Sequence, residues 1–280
     1  MTDPLLPHLL DLLKQAPPDS FVLGGGFGLI LKQRHLQYHR AATLAASAGH
    51  NLPPARATQD LDLFLKMEVF THPDRGRVLR QGLDDLGYQV LTGKFQFSKP
   101  LSPELPGMAV RVDLLSRLPR QDEAVPVRGV RVGAGADAGV HGRKVPEAFA
   151  VDRGPVAIDV VEQGRPLASV RVPAPFAWLN MKVRAAHDWL TSTDDAQSSV
   201  RHAFDAALIV AMLTEDELQE SARLAREFGG HPVGAQIREE AVRLFGTPES
   251  AGWQGARGQG MFDDHGLIWD VMREMLRIEK

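Results

Sequence analysis

Asp60-Leu61-Asp62-Leu63-Phe64-Leu65 is the segment that leaves this chain the least freedom. Carboxylate and leucine alternate with period two, and side chains along a strand point to opposite faces in turn. Asp60 and Asp62 therefore share one face of a strand, while Leu61 and Leu63 point into a core. Aspartate is disfavoured within strands, so the run predicts a sheet with one apolar face and one face reserved for charge. Val110-Arg111-Val112-Asp113-Leu114-Leu115 repeats the pattern further along. Upstream, Phe21-Val22-Leu23 reads as a brief buried strand. Gly24-Gly25-Gly26 then turns the chain into a helix over roughly 27–39, the strand-turn-helix arrangement whose backbone N–H groups face an anion.

Three carboxylates gathered on a sheet are costly unless a cation neutralises them. With no cysteine in the chain and no histidine beside the aspartates, a thiolate zinc site is excluded and oxygen-ligated magnesium or manganese is expected. Magnesium is usually bound by one or two carboxylates together with substrate phosphates. The implied substrate is a nucleotide.

A chain of 280 residues holds one large domain or two modest ones. Its 35 acidic and 32 basic residues leave a formal charge of −3, too even to announce a nucleic-acid binder by bulk electrostatics, and leave a local basic patch open. The absence of cysteine removes disulfides and thiol redox chemistry and is compatible with a reducing compartment. No apolar run approaches the ~18 residues that span a membrane. The first residues, Met1 to His8, lack the charged and apolar regions of a signal peptide, so no membrane partner and a cytoplasmic location are expected.

Helical spacing of leucines marks residues 5–13. Residues 43–57 read as a loop delivering Arg56 and Thr58 to the strand at 61–65. A helix is expected at 72–86, an extended segment at 88–97 and a strand at 109–115. Short strands and turns follow over 125–172. After Pro173 helical periodicity takes over, at 175–190, 198–213, 215–228, 232–245 and 263–278. The glycine-rich stretch 246–260 is expected to be a mobile connection. Domains are placed at 1–172 and 173–280.

Taken in order, Gly25-Gly26-x-x-Leu29, Arg56-x-Thr58-x-Asp60-Leu-Asp62-Leu, and Val112-Asp113-Leu-Leu resemble the nucleotidyltransferases of the DNA polymerase beta superfamily, and within them the abortive-infection, toxin-type (AbiEii/AbiGii) branch. A later match is Pro173-Ala-Pro-Phe-Ala-Trp-Leu-Asn-Met-Lys182, followed by Arg201-His202-Ala-Phe-Asp205, so the resemblance covers roughly residues 20–213. It implies an α+β fold, a mixed sheet with flanking helices followed by a C-terminal helical region. It implies that Asp60, Asp62 and Asp113 are catalytic and hold two Mg2+ or Mn2+ ions. Gly25, Gly26, Arg56, Thr58 and Lys182 would bind the nucleotide, with Asp205 in support. The implied activity moves a nucleoside monophosphate from a nucleoside triphosphate to an acceptor hydroxyl on RNA, tRNA or protein. The implied role is that of a toxin in a toxin–antitoxin or phage-defence pair, with a cognate antitoxin as partner.

This sequence departs from the family pattern twice. Phe27 follows Gly26 where a small hydroxyl residue is usual, and His202 stands in place of an aspartate. Two other functions use the same residues: a small-molecule, antibiotic-type transferase, and a nucleotide-binding module without turnover. Individual side chains also carry alternatives. Lys182 either meets the triphosphate or snorkels from an apolar helix face. Thr58 touches substrate or caps the turn into its strand. Asp205 and His202 act on nucleotide, orient Lys182 or bind Arg184. His187-Asp188 is a proton relay or a surface pair before the loop at 191–195. The four tryptophans stack bases or fill the core.

Overall fold

The computed structural model describes residues 3–101, 108–133, 139–192 and 196–279. Residues 193–195 of the loop expected after His187-Asp188 lie outside them. The fold is α+β, with a mixed sheet and a C-terminal helical region. Among the described residues no helix is long and apolar enough to cross a membrane.

In chain order the first half holds helix α1 (Leu6–Gln15), strand β1 (Phe21–Leu23), helix α2 (Gly25–Tyr38), a single turn α3 (Leu44–Ser47), strand β2 (Asp60–Leu65), a second single turn α4 (Glu68–Thr71) and helix α5 (Pro73–Asp85). Strands β3 (Gln89–Thr92), β4 (Gln96–Pro100), β5 (Ala109–Ser116), β6 (Val127–Arg128), β7 (Arg131–Val132) and β8 (Gly142–Lys144) follow. Strands β9 (Val156–Glu162) and β10 (Arg165–Val172) make a separate two-stranded sheet. Helices α6 (Pro175–Ser192), α7 (Ala196–Ala211), α8 (Glu215–Glu227), α9 (Pro232–Phe245), α10 (Ala251–Gly258) and α11 (His265–Leu276) complete the chain.

The chain divides into two compact units. The first comprises Met1–Leu31, Ala57–Asp152 and Ala157–Val172. Its main sheet runs β1-β2-β5-β8-β7-β6, with β4 and β3 attached in turn to β5. Strand β1 is antiparallel to β2, whereas β2 and β5 are parallel. Leu61, Leu63, Val112 and Leu114 are all fully buried, so the apolar half of each alternating run does face a core. Two local differences have clear causes. The extended segment expected at 88–97 is a hairpin, because Gly93 and Lys94 take left-handed backbone at φ 54 and 58 and reverse the chain between β3 and β4. The loop at 43–57 contains the turn α3, where the Thr43 side chain caps the N–H of Ala46.

The second unit comprises Lys32–Arg56, Arg153–Val156 and Pro173–Lys280. Helices α6 and α7 pack along each other, Ala203, Ala206 and Ala207 of α7 are inaccessible, and the Ser199 hydroxyl donates to Ala186 O at 2.8 Å. Thr214 and Glu217 form a capping box at the start of α8, and Glu217 also meets the buried Lys32 ammonium at 2.8 Å. The stretch 246–260 is not a mobile connection: it contains α10, with Trp253 fully buried. Its glycines serve close approach. A Cβ at Gly252 would stand 2.6 Å from Leu244 O, and one at Gly255 3.1 Å from Val200.

Candidate functional site

The carboxylates of the first unit are set by strand register. Asp62 pairs with Asp113 and Asp60 with Arg111 across the parallel β2–β5 ladder. Register partners share a face, and residues two apart along a strand do too, so Asp60, Asp62 and Asp113 stand together on the face opposite the leucine core. All three are half-buried. The set is a carboxylate face rather than a closed cage, since the ligand oxygens of the three do not all lie within 4.8 Å of one another. Rotation about χ1 is the freedom that brings such groups onto one ion.

The glycine turn meets this face directly. Gly24 N–H donates to Asp62 O at 2.8 Å, extending the β1–β2 ladder by one step before α2 begins. Gly25 has φ +62, and the Asp62 carboxylate fills the place a Cβ would take, its Oδ2 only 1.8 Å from that position. Gly25 is thus required twice over, by its backbone and by the approach of Asp62. A Cβ on Gly26 would lie 3.3 Å from Thr58 Cβ. Thr58 Oγ1 accepts from Asp60 N–H at 3.4 Å, a local turn that leads into β2. Phe27 is fully buried and belongs to the core, which leaves backbone N–H groups as the polar surface of this turn.

Two flanking residues were not among the sequence candidates. Arg111 lies beside Asp60 and two positions before Asp113, so it shares the carboxylate face. The period of two within Val110-Arg111-Val112-Asp113 carried that signal. Gln96, in register with Asp113 on β4, could not be placed before the hairpin was known.

No family model, no curated protein and no solved structure matches this chain.

Arg56, Lys182 and Asp205 come together in the second unit. Arg56 Nε and Nη2 donate to the two carboxylate oxygens of Asp205 at 3.0 and 2.9 Å, and Lys182 Nζ donates to Oδ2 at 2.6 Å. Asp205 is fully buried. Burial raises its pKa, but the two cations outweigh it and hold the carboxyl below the ordinary value. Arg56 is delivered by a clamped loop in which Gln33 donates to Pro53 O at 2.7 Å and accepts from Ala55 N–H at 2.8 Å. His202, one turn before Asp205, is pushed down to about 3, first by burial and then by the Lys182 charge, and its Nδ1 has no hydrogen-bond partner among the described residues. It is neutral at physiological pH.

Arg184 goes elsewhere, to Glu240 on α9, and His187 Nδ1 lies 3.7 Å from the same carboxylate. Burial raises the Glu240 pKa. His187-Asp188 is therefore part of a polar staple between α6 and α9. Trp178 and Trp253 are core, Trp269 is half-buried and Trp189 is exposed.

Proposed function

We propose that the first unit carries a metal-dependent nucleotidyltransferase site of the polymerase-beta type. The observation that carries the proposal is the pairing of Asp62 with Asp113 on one sheet face, with Asp60 two positions away and Gly25 seated on the Asp62 carboxylate. The mixed sheet, with β1 antiparallel to β2 and β2 parallel to β5, is in keeping with it.

The donor set fits a hard divalent cation: three carboxylates reachable from solvent, with no cysteine thiolate in the chain. Asp60, Asp62 and Asp113 would hold Mg2+ or Mn2+ ions, which when bound neutralise a triphosphate and ease ionisation of an acceptor hydroxyl. The backbone N–H groups of the Gly25-Gly26 turn, at the start of α2, favour phosphate oxygens. Asp113 would take the acceptor proton. The acceptor oxygen then bonds to the α-phosphorus as the bond to the bridging oxygen breaks, and pyrophosphate departs. Positioning and electrostatics supply the catalysis in such a transfer.

The test is incubation with each labelled nucleoside triphosphate, Mg2+ and either total tRNA or a cell lysate. Wild type should label an acceptor, and Asp60→Ala or Asp62→Ala should abolish it. Failure of wild type to label anything with any triphosphate overturns the proposal. The toxin role rests on the family resemblance and has its own test: growth arrest on expression, relieved by Asp62→Ala.

A further inference from the structure

The carboxylate face continues beyond Asp113. Leu115, two positions on and hence on the same face, is in register with Arg143 of β8. Arg143 is in register with Arg131 of β7, and Arg131 with Arg128 of β6. Register partners share a face. Three arginines from three successive strands therefore form a row about 5 Å apart at the backbone, starting roughly 8 Å from Asp113. The alternate positions confirm the facing, since Val132 is fully buried and Gly142 packs against Ser116 and Phe70 on the other side.

All three arginines are exposed, and none has an ion-pair partner among the described residues. Most other arginines of the chain are neutralised, as Arg117 is by Glu123 and Asp152. Burial, and less strongly the charges of Arg131 and Lys94, push the His141 pKa below its ordinary value. On the face that bears the carboxylates there thus stand three arginines with no ion-pair partner among the described residues, in a chain of net charge −3.

We propose that Arg128, Arg131 and Arg143 form a docking strip for the phosphodiester backbone of single-stranded RNA. Guanidiniums bind phosphate in a bidentate fork, and a row of them tracks a strand of phosphates. Among the described residues no aromatic side chain is in register with the row, so contact is to the backbone and tolerant of sequence. RNA is favoured over DNA because every ribonucleotide carries a 2′-hydroxyl, whereas a DNA strand offers a hydroxyl only at its ends. That preference rests on the transferase reading; the strip itself rests on strand register.

The experiment is fluorescence anisotropy with a labelled oligouridylate of about 15 nucleotides, in a salt series and without any triphosphate. Wild type should bind. The triple variant Arg128→Gln/Arg131→Gln/Arg143→Gln should lose affinity by about tenfold or more and lower the slope of log affinity against log salt by about 2. Arg243→Gln, an exposed arginine on α9, should change neither. Thermal melting of the triple variant should match wild type, because none of the three side chains is in the core. The strip is overturned if wild type does not bind, if the triple variant binds as wild type does, if polyglutamate of equal charge displaces the RNA equally well, or if a DNA oligomer of the same length binds more tightly. Binding that depends on the arginines without any nucleotidyl transfer would sustain the strip and sink the transferase reading. Transfer to a small molecule without RNA binding would do the reverse.

Discussion

Asp205 and the trio Asp60, Asp62 and Asp113 are the same residue type used in opposite ways. Asp205 is fully buried and accepts three hydrogen bonds from two cations of its own unit. The trio stands half-buried on a sheet face, carboxylate beside carboxylate. A buried charge must be answered inside the fold, so its partners are fixed by stability. Charges on a face open to solvent contribute less to folding than a buried, fully paired one. Residues of the first kind should report in stability and those of the second in activity.

The largest effect expected is on the buried side of this comparison. Asp205→Ala strands Lys182 and Arg56, and should cost about 3–5 kcal/mol in urea denaturation. A loss below about 1 kcal/mol would erase the distinction. Next, Asp62→Asn should lower the labelling rate by about 10²–10³-fold and leave the denaturation midpoint within about 0.5 kcal/mol of wild type. A large stability loss with normal turnover would invert the assignment.

His202 sharpens the buried side further. Folding holds it neutral with a pKa of about 3, whereas the unfolded chain protonates it near 6.5. Its contribution is complete above pH 6.5 and declines as the pH falls from 6.5 towards 3, because the unfolded state takes up the proton first. Between pH 7 and pH 5 that amounts to about 2 kcal/mol, and His202→Gln should flatten the acid limb of a stability–pH curve by that amount. A variant that tracks wild type across the range would show that this site titrates normally. The smallest effect belongs to the junction of glycine turn and carboxylate face: Gly25→Ala forces φ +62 on a residue with a Cβ, at about 1–2 kcal/mol. Since that Cβ also displaces the Asp62 carboxylate, activity should fall more steeply than stability; equal losses would reduce Gly25 to a backbone requirement.

Much of the first unit was legible because its signals are local. The alternation at 60–65 and 109–115 gave two strands, and the face assignment of all three aspartates followed from it. Arg111 was readable by the same rule. The row of Arg128, Arg131 and Arg143 was not, because the Arg128–Arg131 hairpin joins the carboxylate face only once β8 pairs with both β7 and the distant β5. In the second unit the helix periods were plain, but α10 was hidden by glycines that ordinarily mark turns. Their role became visible only when Leu244 and Val200 were found against them.

By itself the sequence determined which residues alternate, which helices form and which side chains carry charge, since backbone period and local propensity act within a few residues. The tertiary structure decided which charges are buried within the fold and which stand on a sheet face. That Arg56 and Lys182 both turn to Asp205, and that Asp62 lies beside Asp113 and under Gly25, are matters of register and burial. Both depend on contacts between segments far apart in the chain, and no local pattern encodes them.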